Sequence, residues 1–164
     1  MTITPNGLIA KENDDTSYLS KAVFARYDKL CKKIGNLIIG RRTYDVSVAE
    51  NAFPYPGLNV VLTNKHIKNK WGSQVIFTNN SPKEVLKLLK ERRFKTALVG
   101  GGGKLNSSFM KERLVDEIYL EVTPTIFGKG IKLFADEDFE AKLKLIGMKK
   151  ISPNEIQLHY KVKK

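Results

Sequence analysis

Four consecutive glycines, Gly100 to Gly103, constrain this chain more than any other feature of its sequence. They follow the apolar run 96–99 and precede Lys104 and Leu105. Because glycine has no Cβ, such a run lets the backbone turn sharply and approach a ligand closely. Residues 106–113 have helical spacing, so a strand, a glycine turn and a helix start are expected here. The N–H groups of a helix start favour anions, whereas a plain tight turn in an α/β fold remains the alternative.

The glycine run matches neither standard nucleotide-binding motif. It is not G-x-G-x-x-G, and no Lys-Ser or Lys-Thr pair follows it as in a P-loop. Its function therefore depends on what the rest of the chain places beside it.

Strands and helices alternate along the chain, which sets the expected fold class. A helical pattern from Ser17 to Ile34 ends at Gly35, and Ser81-Pro82-Lys83-Glu84 is a helix start with a capping box. The predicted strands cover residues 36–40, 59–63, 74–78, 96–99, 116–122, 143–148 and 155–162. The last one alternates apolar with polar residues, as an antiparallel strand with one exposed face does. We therefore expect an α/β fold: a mostly parallel sheet flanked by helices on both faces, with a C-terminal antiparallel hairpin, in a single domain over residues 1–164.

Two turns of this fold meet the usual condition for a ligand site. In open α/β sheets ligands bind at the carboxyl ends of the strands. The glycine run follows one strand, and Gly40-Arg41-Arg42-Thr43 follows another. Two guanidinium groups beside a helix start suit the geometry of phosphate, with a solvated arginine pair as the alternative.

The strong positive charge also narrows the classes of partner. The formal net charge is +12, from 29 Lys and Arg against 17 Asp and Glu. The charge could reflect a nucleic-acid partner, an anionic small ligand or a lysine-rich lineage. The lysines are spread along the whole chain, which argues against nucleic acid, and a cofactor with several phosphates would also be attracted to such a surface. No membrane span and no secretory leader is visible, so we expect a cytoplasmic protein. Cys31 is expected to be a small buried hydrophobe, and His66 and His159 lack the spacing of metal ligands.

The order of the pieces resembles the dihydrofolate reductase superfamily, in the branch of the RibD C-terminal domain, a riboflavin-biosynthesis reductase. The matching stretches are 6–10, 37–44, 60–63, 98–103, 114–120, 124–130 and 158–162, which together span nearly the whole chain. The Pro-x-x-x-Gly-x-Gly pattern of 124–130 favours the riboflavin-type branch over ordinary dihydrofolate reductases. Relatives have several more residues before the position of Ile3, so either the chain starts upstream or its first strand is very short.

The resemblance implies a dihydrofolate-reductase-like fold, NADPH binding, and hydride transfer to a pteridine or pyrimidine-type ring. It assigns cofactor contacts to four stretches: Gly40, Arg41, Arg42 and Thr43 at the pyrophosphate and 2′-phosphate; Leu62, Thr63 and Asn64 at the adenosine-phosphate end; Gly101, Gly102, Gly103, Lys104 and Leu105 at the diphosphate and nicotinamide ribose; and Ile9 and Ala10 along the nicotinamide. It also implies a homodimer, because riboflavin-type relatives often pair.

The substrate anchors of both related enzymes are missing. Residues 19–24 lack the carboxylate that binds the pteridine, Leu58 replaces the arginine that grips folate, and Gly100 replaces the glutamate of the riboflavin enzyme. Alignment places Glu121 in the pocket, where we expect it to orient the substrate and its proton, since reducing C=N needs a proton beside the hydride. The alternative is a solvent-facing Glu121 paired with a lysine. Two rival functions stay open: a non-catalytic nucleotide-binding domain that has lost its substrate anchors, and a basic nucleic-acid-binding domain.

Overall fold

The computed structural model describes residues 1–164 and contains four α-helices and ten strands. The helices, in chain order, are α1 (Lys21–Ile34), α2 (Arg41–Ala49), α3 (Pro82–Glu91) and α4 (Gly103–Lys111). The strands are β1 (Thr2–Ile3), β2 (Leu8–Ala10), β3 (Asn36–Gly40), β4 (Leu58–Leu62), β5 (Val75–Thr78), β6 (Val99–Gly101), β7 (Glu117–Val122), β8 (Ile131–Lys132), β9 (Leu143–Ser152) and β10 (Glu155–Val162). None of the helices is long and apolar enough to cross a lipid bilayer.

The chain divides into two compact units. The first contains residues 1–20 and 106–164, and the second contains residues 21–105. That residues 1–164 behave as a single domain stays a prediction, and each unit is described by itself.

The second unit is built on a four-stranded sheet in the order β5-β4-β3-β6, in which every pair is parallel. The central strand β3 carries Leu37, Ile38 and Ile39, all completely buried, as expected for a strand covered on both faces. Helices α1 and α2 pack against β3, and α2 also contacts β4. This confirms the predicted parallel sheet flanked by helices.

Two buried asparagines at strand starts tie loops to this sheet. The Asn36 amide donates to the carbonyl of Thr96 at 2.7 Å, and its oxygen accepts from the Leu98 N–H at 3.2 Å. In β4, the Asn59 amide donates to the carbonyls of Tyr55 at 2.8 Å and Gly57 at 2.9 Å. Both side chains are fully buried, so these bonds satisfy groups that no solvent can reach.

The start of α3 has the capping box that its sequence predicts. The Ser81 hydroxyl accepts from the Glu84 N–H, and the Ser81 N–H donates to the Glu84 carboxylate at 2.7 Å. This backbone hydrogen bond lowers the pKa of Glu84 below its ordinary value. Pro82 occupies the first helical position, where its missing N–H costs nothing.

The first unit contains the antiparallel part of the fold. Its larger sheet has the order β1-β7-β10-β9, with β1 parallel to β7 and the other pairs antiparallel. Strands β2 and β8 form a separate antiparallel pair. The predicted C-terminal hairpin is therefore confirmed, and β1 is very short, with two residues.

The apolar face of the hairpin is less covered than its alternating sequence suggested. Ile156 is 38% exposed, whereas Glu155, expected on the exposed face, is only 8% exposed. The edge strand β9 adds exposed Leu145 and Met148. Sequence alternation assigns side chains to faces, but whether another layer covers a face depends on tertiary packing.

The strand before the glycine run and the helix after it have different bounds from those expected. Strand β6 ends in Gly100 and Gly101 instead of stopping before them, and α4 begins at Gly103 instead of residue 106. Gly101 pairs beside Ile39 of β3. The helix ends before Arg113, whose φ of 56° is outside the helical region.

Replacing Asn59 with alanine should lower the free energy of unfolding by about 1–3 kcal/mol, because it leaves buried loop carbonyls without donors. Urea unfolding of purified protein measures the change. Asn79→Ala, at an exposed position, is the matched control and should shift stability by less than about 0.5 kcal/mol. Equal effects of the two substitutions would contradict the role of Asn59.

Candidate functional site

The carboxyl ends of the parallel strands bring the two candidate turns together. Strand β3 lies between β4 and β6, and all three point the same way. A Cβ added to Gly40 would lie 3.8 Å from the Gly101 carbonyl oxygen and 4.0 Å from the Gly102 nitrogen. It would also lie 3.9 Å from the Cβ of Leu105, on the first turn of α4. The two glycine-containing turns are therefore neighbours at one edge of the sheet.

Two helices begin at this edge. Gly40 precedes α2 in an extended conformation and supplies no side-chain cap, and neither α2 nor α4 has an acidic residue in its first turn. The first turn of a helix carries N–H groups without partners inside the helix, and its dipole favours negative charge. The edge is thus suited to an anion bound by main-chain donors.

Helix α2 is fixed by its buried side. The Ser47 hydroxyl donates to the Thr43 carbonyl at 2.8 Å and lies 2.9 Å from the Tyr55 hydroxyl. The Tyr44 ring packs edge-on against Phe53 and Phe77, at centroid distances of 4.9 and 5.2 Å. These contacts hold the start of α2 in place.

The two arginines of α2 differ in their surroundings. Arg41 Nε donates to Asp45 Oδ1 at 2.7 Å, and this hydrogen bond raises the pKa of Arg41. Arg42 is exposed. Asp45 was missed in the sequence, although its spacing of four residues from Arg41 on one helix is the signal for such an ion pair.

The glycine turn presents backbone and almost no side chains. Gly101 has a φ of 99°, a conformation that residues with a Cβ rarely adopt, and the Gly101–Gly102 peptide bond is cis. Gly103 and Leu105 are buried, whereas Lys104 is exposed. The exposed ammonium of Lys104 adds positive charge to the first turn of α4.

The end of β4 adds a third stretch to the same edge. Leu62 pairs beside Gly40, and the next residue, Thr63, donates its N–H to the Thr78 carbonyl at 2.8 Å. The Thr63 hydroxyl accepts from the Lys65 N–H at 3.0 Å, and Asn64 is exposed. The structure therefore brings three of the four assigned stretches to one edge of the second unit, while their contacts to a cofactor stay a prediction.

The remaining assigned residues belong to the first unit. In β2, the Ile9 carbonyl accepts from the Tyr18 hydroxyl at 3.0 Å, and Ala10 is buried. Glu121 is half-buried in β7 and accepts from the Gln157 amide at 3.1 Å. The role of Glu121, at the substrate or as a solvent-facing residue paired with a lysine, stays a prediction.

A second group missed in the sequence lies at the start of the glycine turn. The Tyr27 hydroxyl of α1 is 2.2 Å from the place where a Cβ on Gly100 would stand. Tyr27 follows the helical spacing of the buried face of α1, so its sequence position predicted only a core residue. No local pattern could have placed its hydroxyl beside residue 100, which lies far along the chain.

Comparison with known proteins agrees with this architecture. The chain is 29% identical over 164 residues to the uncharacterized protein YwjB of Bacillus subtilis, covering 98% of this chain and 94% of that protein. A solved structure of a putative riboflavin biosynthesis protein from Shewanella sp. PV-4 matches it with a TM-score of 0.84 and 20% identity, over 100% of this chain and 97% of that one.

A further solved structure contains this fold as one part of a longer chain. It is a diaminohydroxyphosphoribosylaminopyrimidine deaminase/5-amino-6-(5-phosphoribosylamino)uracil reductase from Thermotoga maritima, with a TM-score of 0.77 and 19% identity. The match covers 98% of this chain and 54% of that one. The family model described as the RibD C-terminal domain matches residues 2–157. With that match over nearly its full length, the chain belongs to the RibD C-terminal domain family, within the dihydrofolate-reductase-like fold superfamily.

Proposed function

We propose that this chain is an NADPH-dependent reductase that transfers a hydride to a pteridine or pyrimidine-type ring. The observation that carries the proposal is the edge where Gly40, the glycine turn and the starts of α2 and α4 meet. A dinucleotide has two linked phosphates, which need several donors in a small space. Main-chain N–H groups at neighbouring helix starts meet that need without bulky side chains.

The residues at this edge fit the phosphates of NADPH. Arg42 is exposed beside the start of α2, and its planar guanidinium can bind a phosphate through two hydrogen bonds. Arg41 already has Asp45, but both members of this pair are partly exposed, so the pair is weak and a phosphate dianion can compete for Arg41. The net charge of +12 adds a general attraction for such a ligand.

When bound, NADPH supplies the hydride, and the protein supplies position and a proton. Reduction of a C=N bond adds the hydride to carbon and a proton to nitrogen, leaving NADP⁺. Glu121 is the group we assign to the proton, because it is half-buried in β7 and the Gln157 amide fixes one of its oxygens. Ile9 and Ala10 of β2 are assigned to the nicotinamide edge on the resemblance.

The relatives leave the substrate open between dihydrofolate and the aminouracil of the riboflavin pathway. Leu58 and Gly100 stand where the related enzymes carry charged anchors. The rival function is therefore a domain that binds the nucleotide and catalyses nothing. NADPH oxidation assays with both substrates separate the two functions, because the rival predicts NADPH binding without turnover.

Arg42→Ala should weaken NADPH binding by roughly tenfold to hundredfold, because it removes charge-assisted hydrogen bonds to phosphate. The affinity for NADH, which lacks the 2′-phosphate, should fall less. Asp45→Ala should tighten NADPH binding a few-fold, because it releases Arg41. Calorimetric titration with both nucleotides measures these changes, with Lys90→Ala on α3 as the control for charge alone. An equal loss in Arg42→Ala and Lys90→Ala would contradict the phosphate site.

Glu121→Gln should lower turnover by about 100-fold while leaving NADPH affinity unchanged, because an amide cannot deliver the proton that the substrate needs. Glu117→Gln is the matched control, since Glu117 lies on the same face of β7 and pairs with His159 at 2.9 Å. Wild-type turnover in Glu121→Gln would remove Glu121 from the mechanism.

We also propose that the chain forms a homodimer through the exposed apolar face of β9 and β10. The strand register places Met148 opposite Leu158 and Leu145 opposite Tyr160, and Lys150 is the charged residue on this face. If two chains pack this face against each other about a two-fold axis, the apolar side chains of one chain contact those of the other, and Lys150 lies at the rim of the interface. Lysines and bulges along β9 disfavour pairing through its edge.

Met148→Lys should convert the dimer into a monomer, because it places a charge in the middle of the apolar face. Light scattering coupled to gel filtration measures the mass, against 18.6 kDa for one chain. Ile126→Lys is the control, since Ile126 is 71% exposed in a loop outside this face and should leave the dimer intact. A wild-type chain that is monomeric at high concentration would contradict the proposal.

A further inference from the structure

The hydroxyl of Tyr27 occupies the space that a side chain at position 100 would need. A Cβ built on Gly100 would lie 2.2 Å from Tyr27 Oη and 2.6 Å from Leu37 Cδ1. Both distances are far inside van der Waals contact, so no side chain fits there while Tyr27 keeps its position. The glycine turn therefore begins beside a phenol oxygen that comes from α1.

Packing fixes the Tyr27 ring but does not use its hydroxyl. The ring meets Tyr55 edge-on, with centroids 5.3 Å apart and planes at 85°. The Tyr55 hydroxyl lies 2.9 Å from Ser47, whereas no protein group forms a hydrogen bond with the Tyr27 hydroxyl. Tyr27 as a residue is half-buried and not sealed in the core.

The phenol is held in its protonated, donating form. Burial raises the pKa of Tyr27 well above its ordinary value, so the proton remains at neutral pH. A half-buried O–H needs an acceptor, because leaving a donor unsatisfied is costly. A ligand with a carbonyl oxygen or an unprotonated ring nitrogen at this point supplies one. An amino group there can donate to the phenol oxygen, but it leaves the phenol proton without an acceptor.

The position of this hydroxyl matters for a ring bound beside the cofactor. Gly100 directly precedes Gly101 and Gly102, which the proposed function assigns to the diphosphate and nicotinamide ribose. A ring that accepts a hydride must lie close to the same turn. We propose that the Tyr27 hydroxyl donates a hydrogen bond to the substrate ring, and so selects oxo-substituted over amino-substituted heterocycles. This inference rests on the proposed function and names the substrate class of its site.

The placement of Tyr27 is tested by a double-mutant cycle in thermal unfolding. Gly100→Ala alone should destabilise the chain, because the added methyl meets the Tyr27 oxygen and Leu37. In a Tyr27→Phe background, Gly100→Ala should destabilise the chain clearly less, because the Tyr27 oxygen that the methyl would meet first has been removed. Strict additivity of the two changes would contradict the geometry.

The selectivity is tested with two pteridines that differ at the same ring positions, lumazine with two oxo groups and 2,4-diaminopteridine with two amino groups. Each is titrated into the chain saturated with NADP⁺, and the fluorescence change gives its affinity. The wild type should bind lumazine more tightly. Tyr27→Phe should weaken the binding of lumazine roughly threefold to tenfold, and should leave the affinities for 2,4-diaminopteridine and NADPH unchanged.

Tyr55→Phe is the matched control, because it removes the neighbouring phenol oxygen that already lies beside Ser47. It should leave the ratio of the affinities for the two rings unchanged, whatever its effect on cofactor affinity through Ser47 and α2. The inference is overturned if Tyr27→Phe changes the affinities for both pteridines equally or changes neither. It is also overturned if the wild type binds 2,4-diaminopteridine more tightly than lumazine, or binds neither. NADPH binding tells the two failures apart. If the wild type binds NADPH normally but Tyr27→Phe has no effect on pteridine affinity, only this inference is wrong. If the wild type does not bind NADPH, the proposed function is wrong as well.

Discussion

The close approach of the glycine turn to the end of β3 is the constraint on which the rest of the site depends. Gly40 lies so near Gly101 and Gly102 that the two turns share one small space. Gly101 needs its positive φ, and Gly100 has no room for a side chain. Glycine is therefore required here for geometric reasons, and the result is an edge made of backbone donors.

Electrostatics makes that edge suited to anions. The first turns of α2 and α4 carry no carboxylate, so the helix dipoles act without local opposition. Asp45 moderates the arrangement by holding Arg41 to one side of α2. Arg42 and Lys104 remain exposed around the edge. In the proposed function, the wider excess of lysines attracts phosphates toward the protein, and the glycine turn and the helix starts are the groups assigned to bind them.

Local patterns predicted much of the second unit. The apolar run of β3 and the capping box of α3 were read correctly, since each depends on residues close together in the chain. Cys31 was expected to be buried and is completely so, and burial raises the pKa of its thiol to about 12. Features that join distant residues were not predicted: the Tyr27 hydroxyl beside Gly100, and the uncovered apolar face of β9. Both depend on tertiary packing, which periodicity does not encode.

Hydrogen–deuterium exchange with and without NADPH tests the central claim most directly. If the backbone at the two turns binds the phosphates, the amides of residues 40–43 and 101–105 should exchange more slowly when the cofactor is present. Amides of β9, on the C-terminal hairpin of the first unit, should be unchanged under the same conditions. Protection spread evenly over the chain, or no protection at the two turns at saturating NADPH, would contradict the account.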